Sequence, residues 1–416
     1  MRKFIDAACR ISKNIFSAIL PIMLVVFILG SAAHQALAGQ KGGANDAQKD
    51  KVQMSRIEFV TRLKDPGEKI AISSDGQIFL LLREAEDIRK IYTLKKDGSL
   101  EAFPDAAWYG EPAKDGDPPY RLTQRFFAPK AIRATLKNSV MVLDGGDEHH
   151  SARITDFDIT THAILRSFYI PAENLASNSL LSDMGYDWEK AQAYILDSGR
   201  PGDISDRENR GGTGDNSLPP KSADAAQNNT PAIIFYNLKD GTMMRRPLLP
   251  PASQPHTDGA AIILDVLNDN LYVAVGQGAV LQYAEISEVS DVTLTHDAVS
   301  KNIKMLGTQE AGGGMAVDAK GNVYIGRAAQ HEIGVINSHG DYAPYITDPR
   351  IGRIDSMAYA PNGYIYALMR SESEILDPKN KNLPLPTQNA SDGKNAVTSG
   401  YFVIRFRPLW PGSIGG

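Results

Sequence analysis

One unit is repeated six times along this chain of 416 residues. Each copy has a short apolar run, a turn that carries Gly or Asn, a second apolar run rich in Tyr and β-branched residues, and a third run. The clearest copy comprises Met315 to Asp318, a turn at Ala319 to Gly321, then Val323 to Ile325 and Ile333 to Ile336. Asp-Gly and Asn-Gly turns join antiparallel strands in tight hairpins, because both central residues can take positive φ. Each unit is therefore predicted to be a small antiparallel sheet.

The other copies set the number of sheets. Three are clear and start at Ile70, Ala260 and Met357, and two weaker ones start at Ile132 and Met184. A single sheet of this kind cannot bury both faces, so a repeat of roughly 40 to 60 residues stacks into a ring or a solenoid. Six copies predict an all-β fold, a six-bladed β-propeller. The alternative is a large β-sandwich, which explains the turn spacing but not the recurrence of the whole unit.

The ends of the repeat region indicate how the ring closes. The sixth unit supplies its third strand at Phe402 to Phe406, and Pro408 and Pro411 follow without a fourth strand. A blade normally has four strands. Val52 to Leu63 alternates in polarity, so we predict that this N-terminal strand completes the last blade and covers its edge. The alternative is a strand added loosely to the first blade.

The N-terminus has the order of a signal peptide. Four basic residues precede an apolar stretch from Ile15 to about Ala33, and Ala36-Leu37-Ala38 follows in the pattern that signal peptidases cleave. An uncleaved membrane anchor is the alternative, because about 20 apolar residues can span a bilayer. The predicted organisation is a signal peptide at 1–38, a polar linker at 39–51, the propeller at 52–410 and a tail at 411–416. The predicted location is outside the cytoplasm, either periplasmic or secreted.

This organisation can be checked by intact-mass measurement of the exported protein. We expect the mature chain to begin near Gly39, because the basic, apolar and Ala-Leu-Ala segments occur in signal-peptide order. Retention of residues 1–38 in a membrane fraction would instead identify a membrane-anchored protein.

Cysteine content and charge exclude some partners. The only cysteine, Cys9, lies in the predicted signal peptide, so the mature chain would have no disulfide. The formal net charge is −5 and becomes more negative on cleavage, since residues 1–38 carry four Lys or Arg and one Asp. An acidic domain without a basic run is a poor nucleic-acid binder. We expect no nucleic-acid partner, no membrane contact unless the signal segment stays uncleaved, and a monomer.

A series of short phrases, taken in order, resembles the major royal jelly protein and Yellow family in a bacterial-looking version. The phrases are Asp183-Met-Gly-Tyr-Asp187, Ala193-Tyr-Ile-Leu-Asp-Ser198, Ile233-Ile-Phe-Tyr-Asn-Leu238, His256-Thr-Asp-Gly259, Asn270-Leu-Tyr-Val273, Gly312-Gly-Gly-Met-Ala-Val-Asp-Ala-Lys-Gly321 and Tyr401-Phe-Val-Ile-Arg-Phe406. The match covers most of residues 52–407. It implies a secreted six-bladed propeller that binds small ligands at the mouth of its channel. Many members of the family have no agreed catalytic activity, and the animal members look disulfide-bonded, unlike this mature chain.

A more distant resemblance is to the gluconolactonase and regucalcin-like propellers. That resemblance implies a divalent cation held on the central channel by a Glu, one or two Asn and an Asp. Asp258 stands where such a metal ligand is expected and Asp183 is the second candidate, with Ca²⁺ or another divalent cation as the cofactor. The sequence shows no clear matching Glu and no pair of Asn, which weakens the lactonase interpretation without removing it.

Strand order predicts which face carries the site. If the first strand of each blade starts at the channel mouth, the residues just before the inner strands converge there: Asp183, His256, Asp258, Gly313 and Asp355. Carboxylates held close together raise one another's pKa, so the mouth is expected to prefer a cation, either a metal or an amine. Two insertions, 199–229 and 371–398, join second to third strands and belong to the same face. They are either functional loops or solvated ones.

Three functions are compatible with these observations. We favour an exported propeller that binds a small organic ligand in a pocket with a few placed polar groups. The alternatives are a divalent-metal-dependent lactonase or esterase-like hydrolase, and a protein-interaction platform. The sequence carries no G-x-S-x-G, H-E-x-x-H or phosphate-loop motif, so it identifies no catalytic residue. The fold by itself cannot choose among the three.

Overall fold

A computed structural model of the chain describes residues 57–110, 125–147, 149–176, 179–199, 231–248, 260–275, 279–371 and 400–412. All of them belong to one compact unit, Met54–Gly416. The predicted signal peptide and linker lie outside the described residues. Among the described residues, no helix is long and apolar enough to cross a membrane.

Short antiparallel strands make up the first three blades, each of which has four strands in sequential order. The first blade consists of β2 (Gly67–Ile72), β3 (Ile78–Arg83), β4 (Arg89–Leu94) and β5 (Leu100–Ala102), preceded in the chain by β1 (Glu58–Leu63). The second consists of β6 (Pro129–Ala134), β7 (Ser139–Asp144), β8 (Arg153–Asp158) and β9 (Ile164–Tyr169). The third consists of β10 (Leu181–Asp187), β11 (Gln192–Asp197), β12 (Ala232–Asn237) and β13 (Met243–Pro247).

The next two blades share one long strand, so they form a continuous sheet of seven strands. The fourth blade consists of β14 (Ala261–Asp265), β15 (Asn270–Ala274), β16 (Ala279–Glu285) and the first half of β17 (Lys304–Val317). The fifth consists of the second half of β17, then β18 (Val323–Arg327), β19 (Glu332–Ile336) and β20 (Tyr342–Thr347). The sixth consists of β21 (Arg353–Tyr359), β22 (Ile365–Ser371) and β23 (Gly400–Phe406), completed by β1.

The inner strands of successive blades contact one another in a closed ring. β2 packs against β6, and the sequence of contacts continues through β10, β14, β17 and β21 back to β2. Five apolar clusters fill the spaces between neighbouring blades, and one of them spans the fourth, fifth and sixth blades. The predicted six-bladed propeller is confirmed, and the β-sandwich alternative is wrong.

The ring is closed by the N-terminal strand, as predicted. β1 pairs antiparallel with β23, with Glu58 opposite Arg405 and Leu63 opposite Tyr401. Arg405 Nη2 lies 2.6 Å from a carboxylate oxygen of Glu58. Phe59 meets Phe402 edge-on, with ring centroids 5.4 Å apart. Since β1 belongs to the last blade, the alternative of a strand added to the first blade is wrong.

The hairpins differ from the predicted turn type. In the turn from Ser73 to Gln77, Ser73 N donates to Gln77 O at 3.0 Å and Gly76 N donates to Ser73 O at 2.9 Å. Only the glycine has positive φ, at 87°, so the preceding Asp75 stays in the ordinary region. A three-residue loop that ends in a left-handed glycine produces this geometry. The expectation that both central residues would have positive φ is therefore wrong. The turns themselves lie at the Asp-Gly and Asn-Gly positions, as predicted.

Helical structure is sparse among the described residues. Single 3₁₀ turns occur at Ala85–Asp87, Ala106–Tyr109, Ala172–Asn174, Val266–Asn268 and Ala328–Gln330. Two short α-helices, α1 (Ile286–Ser290) and α2 (His296–Asn302), connect the third and fourth strands of the fourth blade. Arg246, 1% exposed, holds this connection by donating to the carbonyls of Asp291 and Leu294 at 2.6 and 2.9 Å. A distant side chain therefore adds to the burial of Ile286, Val289 and Val299 in stabilising the two helices.

Candidate functional site at the channel mouth

The six inner strands line a central channel that is nearly filled near the end where these strands begin. The cavity at this level is about 10 Å³, and its walls come from β2, β6, β10, β14, β17 and β21. A cavity of roughly that size holds a single water molecule. Five of the six inner strands have an irregular register near their first residues. Such bulges re-aim side chains, and here they bring polar groups of several blades to one place.

A buried charge cluster occupies this level of the channel. The Asp183 carboxylate accepts from Arg133 Nη2 at 2.8 Å and lies 2.9 Å from Lys69 Nζ. The three side chains come from the third, second and first blades. Asp183 is 2% exposed and Lys69 is 7% exposed, so the cluster is shielded from water. It ties three blades together across the channel.

The backbone completes the bonding of this carboxylate. Met184 N donates to Asp183 Oδ1 at 2.8 Å, and Ile262 N donates to Oδ2 at 3.2 Å. Burial alone would raise the pKa of Asp183, but the positive charges of Arg133 and Lys69 outweigh burial and lower it. Asp183 is therefore ionised at neutral pH, with each oxygen bonded to a cation and to an amide.

Lys69 and Arg133 also donate hydrogen bonds to groups other than Asp183. Lys69 Nζ also donates to Ala260 O at 3.1 Å, and Arg133 donates to the carbonyls of Ile132 and Ile262 at 2.9 and 3.2 Å. Arg133 Nε is buried and has no hydrogen-bond partner among the described residues. Two cations surround one carboxylate, so the cluster has a surplus of one positive charge.

A second ion pair borders the same cavity. Arg353 Nε lies 2.6 Å from Asp355 Oδ1, and both side chains are partly exposed. The neighbouring Ser356 hydroxyl accepts from Ile70 N at 3.2 Å, which joins the sixth blade to the first. Gly314 passes so close to these residues that a Cβ there would lie 2.8 Å from Ser356 N. Only glycine fits at this point.

The structure brings together some of the residues predicted for the site. Asp183, Gly313 and Asp355 line the same cavity. They lie within β10, β17 and β21 rather than just before them, because the irregular starts of these strands extend the pairing further than the apolar runs. His256 and Asp258 lie outside the described residues. The loops 200–230 and 372–399 also lie outside them, and they connect second to third strands as predicted.

The described residues do not form the donor set that a divalent cation requires. Ca²⁺ binds several oxygen ligands together, whereas both oxygens of Asp183 are already bonded to cationic groups and amides. Among the described residues, no group of three or more His, Cys, Asp or Glu side chains is placed to hold a metal ion. Asp183 is thus a poor metal ligand in this arrangement, because Lys69 and Arg133 would repel a cation from it.

Lys69 and Arg133 are the site residues that sequence reasoning missed. Each is a charged residue inside an apolar strand, in Gly67-Glu-Lys-Ile-Ala-Ile72 and Pro129-Lys-Ala-Ile-Arg-Ala134. Charged side chains are almost never fully buried unless they are paired. A Lys or an Arg in an inner strand is therefore a signal for a buried partner in the channel.

Comparison with known proteins gives only distant structural similarity. No family model and no curated protein matches this sequence. One similar solved structure is a gluconolactonase from Xanthomonas campestris, with 12% identity, a TM-score of 0.48, and coverage of 85% of this chain and 89% of that one. Another is regucalcin, a calcium-binding protein from Agrobacterium tumefaciens, with 11% identity, a TM-score of 0.46, and coverage of 86% and 97%. At these values the likeness identifies neither the ligand nor the reaction of this protein.

Proposed function

We propose that this protein binds a small organic anion at the channel mouth, through the charge cluster of Lys69, Arg133 and Asp183. The observation that carries the proposal is the excess of buried positive charge beside Arg133 Nε, which has no partner in the described part of the chain. Attraction between charges is much stronger in a water-poor channel than in bulk water. This charge balance favours an anion instead of the cation expected from three converging aspartates.

The size of the cavity limits how such a ligand is held. A cavity of about 10 Å³ admits one water molecule but no organic molecule. The body of the ligand therefore lies nearer the end where the inner strands begin, and only an oxygen of its anionic group reaches the cluster. The partly exposed pair of Arg353 and Asp355 borders this approach. A carboxylate meets this requirement, because one of its oxygens can accept a charge-assisted hydrogen bond from Arg133 Nε while the rest of the ligand stays outside the cavity.

The proposal is tested by titrating acetate, citrate and gluconate into wild-type protein and an Arg133→Gln variant. We expect at least one carboxylate to raise the melting temperature of the wild type. In Arg133→Gln, its Kd should rise at least tenfold, the equivalent of about 1.4 kcal/mol, because the charge and the Nε donor are both lost. Binding should weaken as salt is added.

The matched control is Arg405→Gln. Arg405 also pairs with a carboxylate, Glu58, but lies on the outer strands of the sixth blade. This variant should bind carboxylates like the wild type. Equal loss in both variants, or no carboxylate binding by the wild type, would contradict the proposal.

A lactonase-like hydrolase is the second candidate, and the Nε–H donor of Arg133 also favours this function. Hydrolysis of a lactone passes through a tetrahedral oxyanion, which fixed N–H donors and cations stabilise. Arg133 Nε and Lys69 Nζ would face that oxygen, and Asp355 would accept a proton from the attacking water. As the ring C–O bond breaks, Asp355 would return this proton to the ring oxygen, which leaves as the alcohol of the hydroxy acid. The product, a hydroxy acid, is itself the anion that the cluster would bind.

Acid release from a gluconolactone, followed with and without calcium, separates the two candidates. Turnover that falls in Asp355→Asn while carboxylate binding persists would select the hydrolase. Binding without turnover selects the anion-binding function. Turnover only with calcium would place the chemistry on a metal site outside the described residues.

The cellular location and the family of this protein are also proposals. We propose export to the periplasm or the medium, on the strength of the signal-peptide pattern at 1–38. We further propose membership of the royal jelly and Yellow group, which the ordered phrases from Asp183 to Phe406 support. A protein-interaction role would be indicated by a partner that co-purifies with the exported protein.

A further inference from the structure

A second cavity lies between the second and third blades, away from the channel mouth. Its volume is about 310 Å³, at the lower end of the range of about 300 to 1,000 Å³ for ligand pockets. It opens on the face of the turn from Thr135 to Ser139, which joins a first strand to a second strand. The inner strands begin at the opposite face, so this cavity is separate from the charge cluster.

A buried carboxylate with an unsatisfied oxygen lines this cavity. Asp156, 1% exposed, accepts from Arg166 Nη2 and Nε through its Oδ2 atom, at 2.9 and 3.2 Å. Its Oδ1 atom accepts no hydrogen bond from any described residue. A buried polar atom without a partner costs about 1 to 3 kcal/mol, so it calls for an explanation. A donor that enters the cavity would provide one.

An aromatic surface and several hydroxyls form the rest of the wall. Trp188 is partly exposed, and Lys137 Nζ lies 5.9 Å from the centre of its indole. The Tyr186 hydroxyl is hydrogen-bonded to Arg166, and the Thr135 and Ser139 hydroxyls are 2.8 Å apart. The cavity therefore combines a flat apolar surface with groups that can both donate and accept.

The charges around the cavity narrow the class of ligand. An amine would satisfy Asp156 but would meet the positive charges of Lys137 and Arg166. A phosphate would be attracted by those cations but repelled by Asp156 Oδ1, to which no described residue donates. A neutral ligand with several hydroxyls avoids both conflicts, since each hydroxyl donates to one group and accepts from another.

We propose that this inter-blade cavity is a carbohydrate-binding site. The apolar face of a sugar ring lies on Trp188, one hydroxyl donates to Asp156 Oδ1, and others accept from Arg166 and Lys137. The Arg166 side chain is 44% exposed, so it can donate to the sugar while it holds Asp156 Oδ2. The site is independent of the anion site proposed for the channel mouth.

The test is a titration of the purified protein with glucose, galactose, mannose and N-acetylglucosamine, followed by saturation-transfer NMR and tryptophan fluorescence. We expect saturable binding of at least one sugar. Its Kd should rise at least tenfold in Trp188→Ala, the equivalent of about 1.4 kcal/mol, and should also rise in Asp156→Asn. Leu165→Arg should block binding without disturbing the core, because Leu165 is 52% exposed at the opening.

The matched control is Trp410→Ala, which removes another half-exposed indole with a lysine 5.3 Å from its centre. This variant should bind sugar like the wild type. Inorganic phosphate and ethylamine serve as the charged probes. The inference is overturned if no sugar binds, if Trp188→Ala and Trp410→Ala bind equally, or if a charged probe binds at Trp188 in preference to every sugar. Arg133→Gln should leave sugar binding unchanged, whether or not the channel site binds an anion.

Discussion

A chain that begins at Gly67 is expected to unfold at a far lower temperature than one that begins at Met54. The shorter chain lacks β1, so it loses the pairing with β23 and the burial of Ile57 and Leu63. Burying two such side chains contributes about 3 to 6 kcal/mol, which is a large part of the roughly 5 to 15 kcal/mol that stabilises a typical domain. The exposed edge of β23 should also promote aggregation. Differential scanning calorimetry and light scattering measure the two effects.

The chain that begins at Met54 is the control for this truncation. It lacks the predicted signal peptide and linker but keeps β1. We expect it to melt like the chain that lacks only residues 1–38. If the chain from Gly67 melted at the same temperature, β1 would contribute nothing to closing the ring.

Replacing Asp183 by Asn should lower the free energy of unfolding by about 3 to 5 kcal/mol. The substitution removes the charge that balances Lys69 and Arg133 and leaves both cations buried without an anion. The new amide group would also face two donors. Chemical denaturation of the variant and the wild type measures the difference. The matched control is Glu101→Gln, which breaks an exposed ion pair with Lys95 and should leave stability nearly unchanged, because exposed pairs contribute little.

The same carboxylate should make the wild type sensitive to acid. Burial acts to raise the pKa of Asp183, but Arg133 and Lys69 outweigh it, so the folded-state pKa lies below the ordinary value of 3.8. Its stabilising contribution is therefore complete above that value and is lost as pH falls through the folded-state pKa. The stability gap between wild type and Asp183→Asn should shrink in this acid range. A gap that stayed constant with pH would show that the charge of Asp183 is not responsible.

Much of the fold could be predicted from local sequence. The Asp75-Gly76 and Asn362-Gly363 turns place hairpins within a few residues, since a positive φ at one position reverses the chain. The alternation before Leu63 indicated the closing strand, because a three-stranded blade leaves an open edge. Both signals depend on neighbours in sequence, so a single chain reveals them.

The candidate site could be predicted only in part, because its contacts are not local. Asp183 was recognised as a channel residue, but its partner Arg133 lies 50 residues earlier in the chain. Nothing in the sequence near Asp183 shows that two cations will surround it. The net positive charge at the channel is therefore known only from the structure, in which residues of three blades meet. The short helix α2 likewise depends on a contact distant in sequence, since it packs against a strand of the preceding blade.

The pairing of β1 with β23 also sets an order of events during synthesis. β1 is the first of the described strands to leave the ribosome, and its partner is the last. Domains generally fold as units, those nearest the N-terminus first, as the chain is made. Here the first strand of the domain cannot pair until nearly the whole chain exists. The early blades are then an open arc whose ends cannot join. For a protein exported before folding, this delay would favour passage across the membrane as an unfolded chain.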